Sequence, residues 1–81
     1  MRAFTVKAKN LESAQALFDA LRRFDPALHG SSSEGYSVSI DVGANNGRLL
    51  DVLTAIQEHV QERQSVARVE LDGRGYSVHP T

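Results

Sequence analysis

The chain contains no cysteine, so disulfides and thiolate metal sites are excluded and a reducing compartment is compatible with the sequence. It also has no apolar run near the roughly 20 residues that a membrane-spanning helix needs. The first residues alternate between apolar and polar side chains and do not resemble a signal peptide. We therefore expect a soluble, cytoplasmic protein that does not interact with a membrane.

An excess of charge of one sign is missing as well. Nine Lys and Arg side chains face ten Asp and Glu, and the net charge is −1. No basic tract indicates a nucleic-acid partner. A chain of 81 residues predicts one domain covering residues 1–81, with a core small enough that a dimer or a ligand could matter to its stability.

The strongest pattern lies between Gly47 and Arg63. Apolar residues recur there at steps of three and four, which places them on one side of an α-helix: Leu49, Val52, Leu53, Ile56 and Val60. Another helix is predicted from Leu11 to Phe24, with Asn10 as its N-cap and Asp25-Pro26 as its end. Two helices that each carry one apolar stripe need a sheet to pack against.

Three segments alternate with a period of two, as half-buried strands do. They begin at Phe4, Tyr36 and Ala67. Asp72-Gly73 predicts a type I′ hairpin into a last strand. That turn would pair Leu71 with Arg74, Val69 with Tyr76 and Ala67 with Val78.

One apolar and one polar face per strand is typical of a largely antiparallel sheet with one face in water. The element order predicts the α+β class: a two-layer α/β sandwich, ferredoxin-like βαββαβ with an extra C-terminal hairpin strand and both helices on one face. This order requires residues 27–29 to form a short strand. If they are coil, the alternative is two right-handed crossovers in which the strands at Phe4 and Tyr36 run parallel.

A glycine-rich turn before the second helix is the candidate ligand site. Free N–H groups at a helix N-terminus, with glycines that allow close approach, favour a small anion or the phosphate of a nucleotide. The residues concerned are Asn45, Asn46, Gly47 and Arg48. The turn matches neither a P-loop nor a dinucleotide-binding fingerprint.

The open face of the sheet is the candidate interaction surface. Its predicted residues are mostly small and polar: Thr5, Lys7, Ser37, Ser39, Arg68, Ser77 and His79. The aromatic residues Phe4, Tyr36 and Tyr76 have the parity of the apolar face, which argues against base stacking and makes nucleic acid an improbable partner. Another protein, or a second copy, could cover such a flat surface.

The histidines do not suggest a metal site, because His29, His59 and His79 fall on different elements without ligand spacing. We expect His59 to be a solvated residue at the border of the helix's buried stripe. No pairing of nucleophile and base is evident, so the sequence predicts no catalytic residues, metal or cofactor. The predicted function is a small intracellular, non-catalytic protein-interaction or regulatory module. The alternative is a small-anion or nucleotide sensor that uses residues 43–48.

Overall fold

The computed structural model describes residues 3–31, 33–43 and 46–80. The elements follow in this order: β1 (Ala3–Ala8), α1 (Leu11–Ala20), a 3-10 turn (Arg22–Phe24), β2 (Ala27–Ser31), β3 (Gly35–Asp41), α2 (Asn46–Arg63), β4 (Ala67–Leu71) and β5 (Arg74–Val78). The protein belongs to the α+β class. Its strands form one open five-stranded sheet in the order β2-β3-β1-β4-β5, and neighbouring strands are antiparallel.

Strand β1 lies at the centre of this sheet. Val6 is opposite Val38 of β3 on one side and opposite Val69 of β4 on the other. Residues 27–29 do form a strand, which extends to Ser31 and pairs with β3. The alternative with parallel β1 and β3 is wrong, because the two strands pair in opposite directions.

The last two strands meet at a tight turn with the predicted chemistry. Asp72 and Gly73 have φ values of 54° and 77°, the positive φ that a type I′ turn requires at both central residues. The pairing of β4 with β5 then has the register that the sequence predicts, with Leu71 opposite Arg74 and Ala67 opposite Val78.

Both helices pack on one face of the sheet, where the core lies. In α2, Val52, Ile56 and Val60 are completely buried, and Leu49 and Leu53 are partly buried against them. The predicted apolar stripe is therefore confirmed. Neither of the two helices described is both long enough and apolar enough for a membrane crossing.

Helix α1 begins as predicted and ends early. The side chain of Asn10 accepts a hydrogen bond from the Ser13 amide at 2.8 Å, which confirms the N-cap. The spacing predicts that Leu11 faces the core, but this residue is 43% exposed. It is the first residue of the helix, and burial begins one turn later, at Ala14.

The predicted end of α1 at Phe24 is wrong. The α-helix stops at Ala20, and a 3-10 turn follows it. Leu21 and Phe24 are both buried, and residues three apart lie directly above one another in 3-10 geometry. Both side chains therefore belong to the core although the α-helix has ended.

The aromatic rings stay off the open face. Tyr36 is opposite Ala8 and Tyr76 is opposite Val69, so both have the parity of the core side. Tyr76 is nevertheless 51% exposed, although it points to the core side of the sheet. The reason is that β5 is an edge strand, where the helices cover the sheet incompletely.

Candidate functional site

The predicted interaction residues lie together on the face of the sheet that carries no helix. Their positions follow from the strand register, in which residues that are directly opposite point to the same side. We call them the polar face: Thr5, Lys7, Ser37, Ser39, Arg68 and Ser77. His79 lies just beyond the end of β5, and its backbone carbonyl oxygen accepts a hydrogen bond from the side-chain amide of Gln57 at 3.1 Å.

Side chains on the polar face contact one another without forming a deep site. The hydroxyl oxygens of Thr5 and Ser39 are 3.3 Å apart. Lys7 Nζ lies 3.7 Å from Glu70 Oε1, and about half of each side chain is exposed. An exposed pair of this kind contributes well under ~1 kcal/mol, so it leaves the surface open to a competing partner.

The predicted anion site at the second helix is only partly described. Asn45 lies outside the described residues, Asn46 is the first residue of α2, and Gly47 is exposed. The structure does not test anion binding at this turn, which stays a prediction.

Arg48, the charged member of that set, contacts the protein itself. Its Nε donates to the Asp41 carbonyl oxygen at 2.9 Å, and a terminal nitrogen donates to the Phe24 carbonyl oxygen at 2.7 Å. The guanidinium carbon lies 5.7 Å from the centre of the Phe24 ring. Arg48 thereby joins the start of α2 to the end of β3 and to the 3-10 turn.

A second surface, which the sequence analysis missed, lies where β1 ends and β4 begins. It is a cleft of about 880 Å³. We call it the basic cleft after the basic side chains that line it: Lys7, Lys9, His59, Arg63, Arg68 and His79. These residues come from four separate stretches of the chain. Lys7 is opposite Arg68 in the pairing of β1 with β4, a contact that no local sequence pattern indicates.

His59 lies in the wall of this cleft and is partly buried, which differs from the solvated position expected of it. Burial is the main cause that lowers its pKa below the ordinary 6.5, and the positive charge of Arg63 lowers it further. The carboxylate of Glu62 acts in the opposite direction. The imidazole is thus mainly neutral near pH 7 and can either donate or accept a hydrogen bond.

Two observations in the described part of the chain concern metal ligands and serine hydroxyls. No group of three or more His, Asp or Glu side chains there is arranged to hold a metal ion. The Ser31 hydroxyl accepts the Glu34 amide at 3.2 Å, which is a turn contact and not a nucleophile beside a base.

The two candidate surfaces therefore share Lys7, Arg68 and Ser77, and the basic cleft is the concave one. Comparisons with protein-family models, with curated proteins and with solved structures gave no match, so the function of these surfaces has to be argued from their own residues.

Proposed function

We propose that the chain is a small intracellular module without catalytic activity that binds another protein through its polar face. The observation that carries this proposal is that both helices pack on the opposite side, while the polar face is left uncovered across the sheet. A sheet face without a covering layer is a ready contact surface when its side chains are small and polar. The cytoplasm, which the sequence suggests, is the compartment in which we place this activity.

The chemistry of the polar face supports a protein partner of definite character. Hydroxyl groups of Thr5 and Ser39 lie near its centre, and the cationic Lys7 and Arg68 lie to one side. Hydroxyls both donate and accept hydrogen bonds, whereas ammonium and guanidinium groups only donate. The complementary surface is therefore hydrogen-bonding, and acidic where it meets Arg68, because Glu70 on the same face already lies beside Lys7.

We further propose that the architecture is a ferredoxin-like sandwich to which β5 is added. Two observations support this: β3 lies between β1 and β2, and β1 lies between β3 and β4. Two interleaved β-α-β units give such an order. The added strand lengthens the polar face by Ser77, which is opposite Arg68.

The proposal is tested by a bulky charge placed on the polar face. Ser39→Arg puts a long cation beside Thr5, at the centre of the surface, and leaves the core untouched. The control is Glu58→Arg on the exposed side of α2, which changes the net charge by two units where Ser39→Arg changes it by one. Both variants are first checked for the wild-type circular dichroism spectrum and melting temperature.

Each form is then used as bait in a cell lysate, and captured proteins are quantified by mass spectrometry. We expect one protein to be captured by the wild type and by Glu58→Arg, and its capture to fall about tenfold or more with Ser39→Arg. Sedimentation of each form alone tests self-association by the same comparison. The proposal is overturned if every capture is insensitive to Ser39→Arg and the chain stays monomeric at all concentrations.

A further inference from the structure

The basic cleft concentrates positive charge in a chain with a net charge of −1. Four of the nine Lys and Arg side chains line it, and no lining residue is Asp or Glu in the part of the chain that the structure describes. The rest of the chain consequently carries five cationic and ten acidic side chains. Such a separation of charge creates a positive potential in the cleft, where concave walls focus it.

Nearby carboxylates offset only part of this charge. Glu70 lies 3.7 Å from Lys7, and Glu62 acts on His59. Among the described residues, no carboxylate lies within ion-pair distance of Lys9, Arg63 or Arg68. All three side chains are exposed, so water and salt weaken their mutual repulsion, and an anion bound between them would offset it further.

The cleft is not charged throughout. Leu17, Val60 and Ala67 form part of its lining deep against the core, and Val66, which is half exposed, lies in the wall. Its volume of about 880 Å³ falls within the range of roughly 300–1,000 Å³ that is common for small-molecule sites. Mixed apolar and cationic walls fit a ligand that has both an organic part and an anionic group.

We propose that the basic cleft binds a small organic molecule that carries a phosphate group. Its phosphate lies among Lys9, Arg63 and Arg68, where guanidinium groups can donate two hydrogen bonds each, and its organic part packs against Val66. This site goes beyond the protein-binding function, since it uses the end of the sheet and the loop before β4. It also differs from the turn at residues 43–48, which is at another helix end.

The test uses phenyl phosphate as the probe, because it combines a phosphate dianion with one apolar ring. Amide shifts of the full chain are followed by NMR during titration with phenyl phosphate, inorganic phosphate, phenol, and sodium chloride at matched ionic strength. We expect saturable shifts at residues 7–9, 59–68 and 77–79. Phenyl phosphate should bind about fivefold tighter than inorganic phosphate, since its ring covers apolar surface.

Charge-removing variants provide the matched comparison. Arg68→Gln removes a cation from the cleft, and Arg74→Gln removes one from the other end of the same hairpin. Both side chains are exposed, so both variants should fold, and they change the net charge equally. We expect Arg68→Gln to weaken phenyl phosphate about tenfold and Arg74→Gln to leave it unchanged.

The histidine in the wall gives a second, independent signal. A bound dianion favours the protonated imidazole, so the pKa of His59 should rise when phenyl phosphate is added and should not respond to phenol. Lys7, Lys9, Arg63, Arg68 and His79 are the other cationic or titratable groups that line the cleft, and Glu62 is the nearby acid on the same helix.

Several results would overturn the proposal. These are equal shifts with sodium chloride, equal binding of phenol, equal weakening by both arginine variants, or shifts centred on residues 46–48. Tight binding of a short oligonucleotide with no saturable binding of phenyl phosphate would also overturn it, because the partner would then be a nucleic acid. None of these outcomes bears on the Ser39→Arg comparison, so the two proposals fail separately.

Discussion

Gly30 is held in a conformation that only glycine adopts easily. Its φ is +123°, and a Cβ there would overlap the Gly35 carbonyl oxygen and lie 2.7 Å from the Tyr36 Cα. Both obstacles are backbone atoms of the paired strand β3, so they cannot rotate away. We expect Gly30→Ala to lower the free energy of unfolding by roughly 2–4 kcal/mol, as measured by urea denaturation.

The control for this change lies in the other edge strand. A Cβ on Gly75 would meet nothing closer than the Val69 carbonyl oxygen at 4.0 Å, so Gly75→Ala should shift the unfolding free energy by less than about 1 kcal/mol. Equal effects of the two substitutions would show that the close approach at Gly30 is not what restricts this position.

His59 makes the stability depend on pH. Its pKa is lowered in the folded protein, first by burial and then by Arg63, so the unfolded chain binds a proton at this residue more readily. Stability from this group is fully present above pH 6.5 and is lost as the pH falls through the lower folded pKa. We expect the wild type to lose more unfolding free energy between about pH 7.5 and pH 5 than His59→Gln does.

Urea denaturation at both pH values measures this difference. His29→Gln, which removes a histidine from the exposed strand β2, is the matched control for the loss of one imidazole. A pH dependence that is the same in the wild type and in His59→Gln would contradict the expectation.

At the scale of single residues, the sequence predicted the features that depend on nearby residues and missed the contacts between distant ones. The Asn10 cap and the Asp72-Gly73 turn depend on neighbours within three residues, so the sequence reveals them. The contacts of Arg48 with the Phe24 and Asp41 carbonyl oxygens do not show in any local pattern. Residues of the basic cleft are likewise distant in the chain and meet only after folding.

Helix α2 derives its stability from one side only. Ile56 is completely buried, whereas Leu50 is 63% exposed on the same helix. Truncating a buried isoleucine removes contacts and leaves a cavity, so Ile56→Ala should cost about 2–5 kcal/mol. Leu50→Ala should change the unfolding free energy by no more than about 0.5 kcal/mol.

Chemical denaturation of the two variants checks this contrast, and both changes leave alanine, a good helix former, at an interior helical position. A large loss of unfolding free energy in Leu50→Ala, with the oligomeric state unchanged, would contradict this expectation. It would mean that the outer side of α2 is covered as well. At this scale the sequence predicts most of the structure, since periodicity identifies both α-helices and strands β1, β3 and β4. It missed the switch to 3-10 geometry after Ala20, because the spacing of Leu21 and Phe24 also fits a continued α-helix.

Across the whole molecule, resistance to local opening should follow position in the sheet. Strand β1 has hydrogen-bonded neighbours on both sides, and β5 has one only. Opening β1 requires its separation from β3 and β4 together, which amounts to global unfolding. We expect the opening free energy of the β1 amides, obtained from hydrogen exchange, to equal the free energy of global unfolding. The β5 amides should exchange much faster.

Native-state hydrogen exchange followed by NMR measures both strands in one sample. Comparable protection of Val6 and Tyr76 would contradict this ranking and would indicate that something covers the free edge of β5.

The predicted arrangement of the sheet depended on whether residues 27–29 form a strand, which the sequence left open. Short segments such as Ala27–Ser31 carry no clear periodicity, and pairing with β3 is what fixes them.

The central place of β1 also shapes how the chain is made. Ala3–Ala8 leaves the ribosome before the other described elements, yet one of its edges is closed only when Ala67–Leu71 arrives. Until β4 has emerged, that edge is an unpaired strand that can template contacts with neighbouring nascent chains. A slower arrival of β4 should therefore prolong this exposure and favour aggregation of nascent chains.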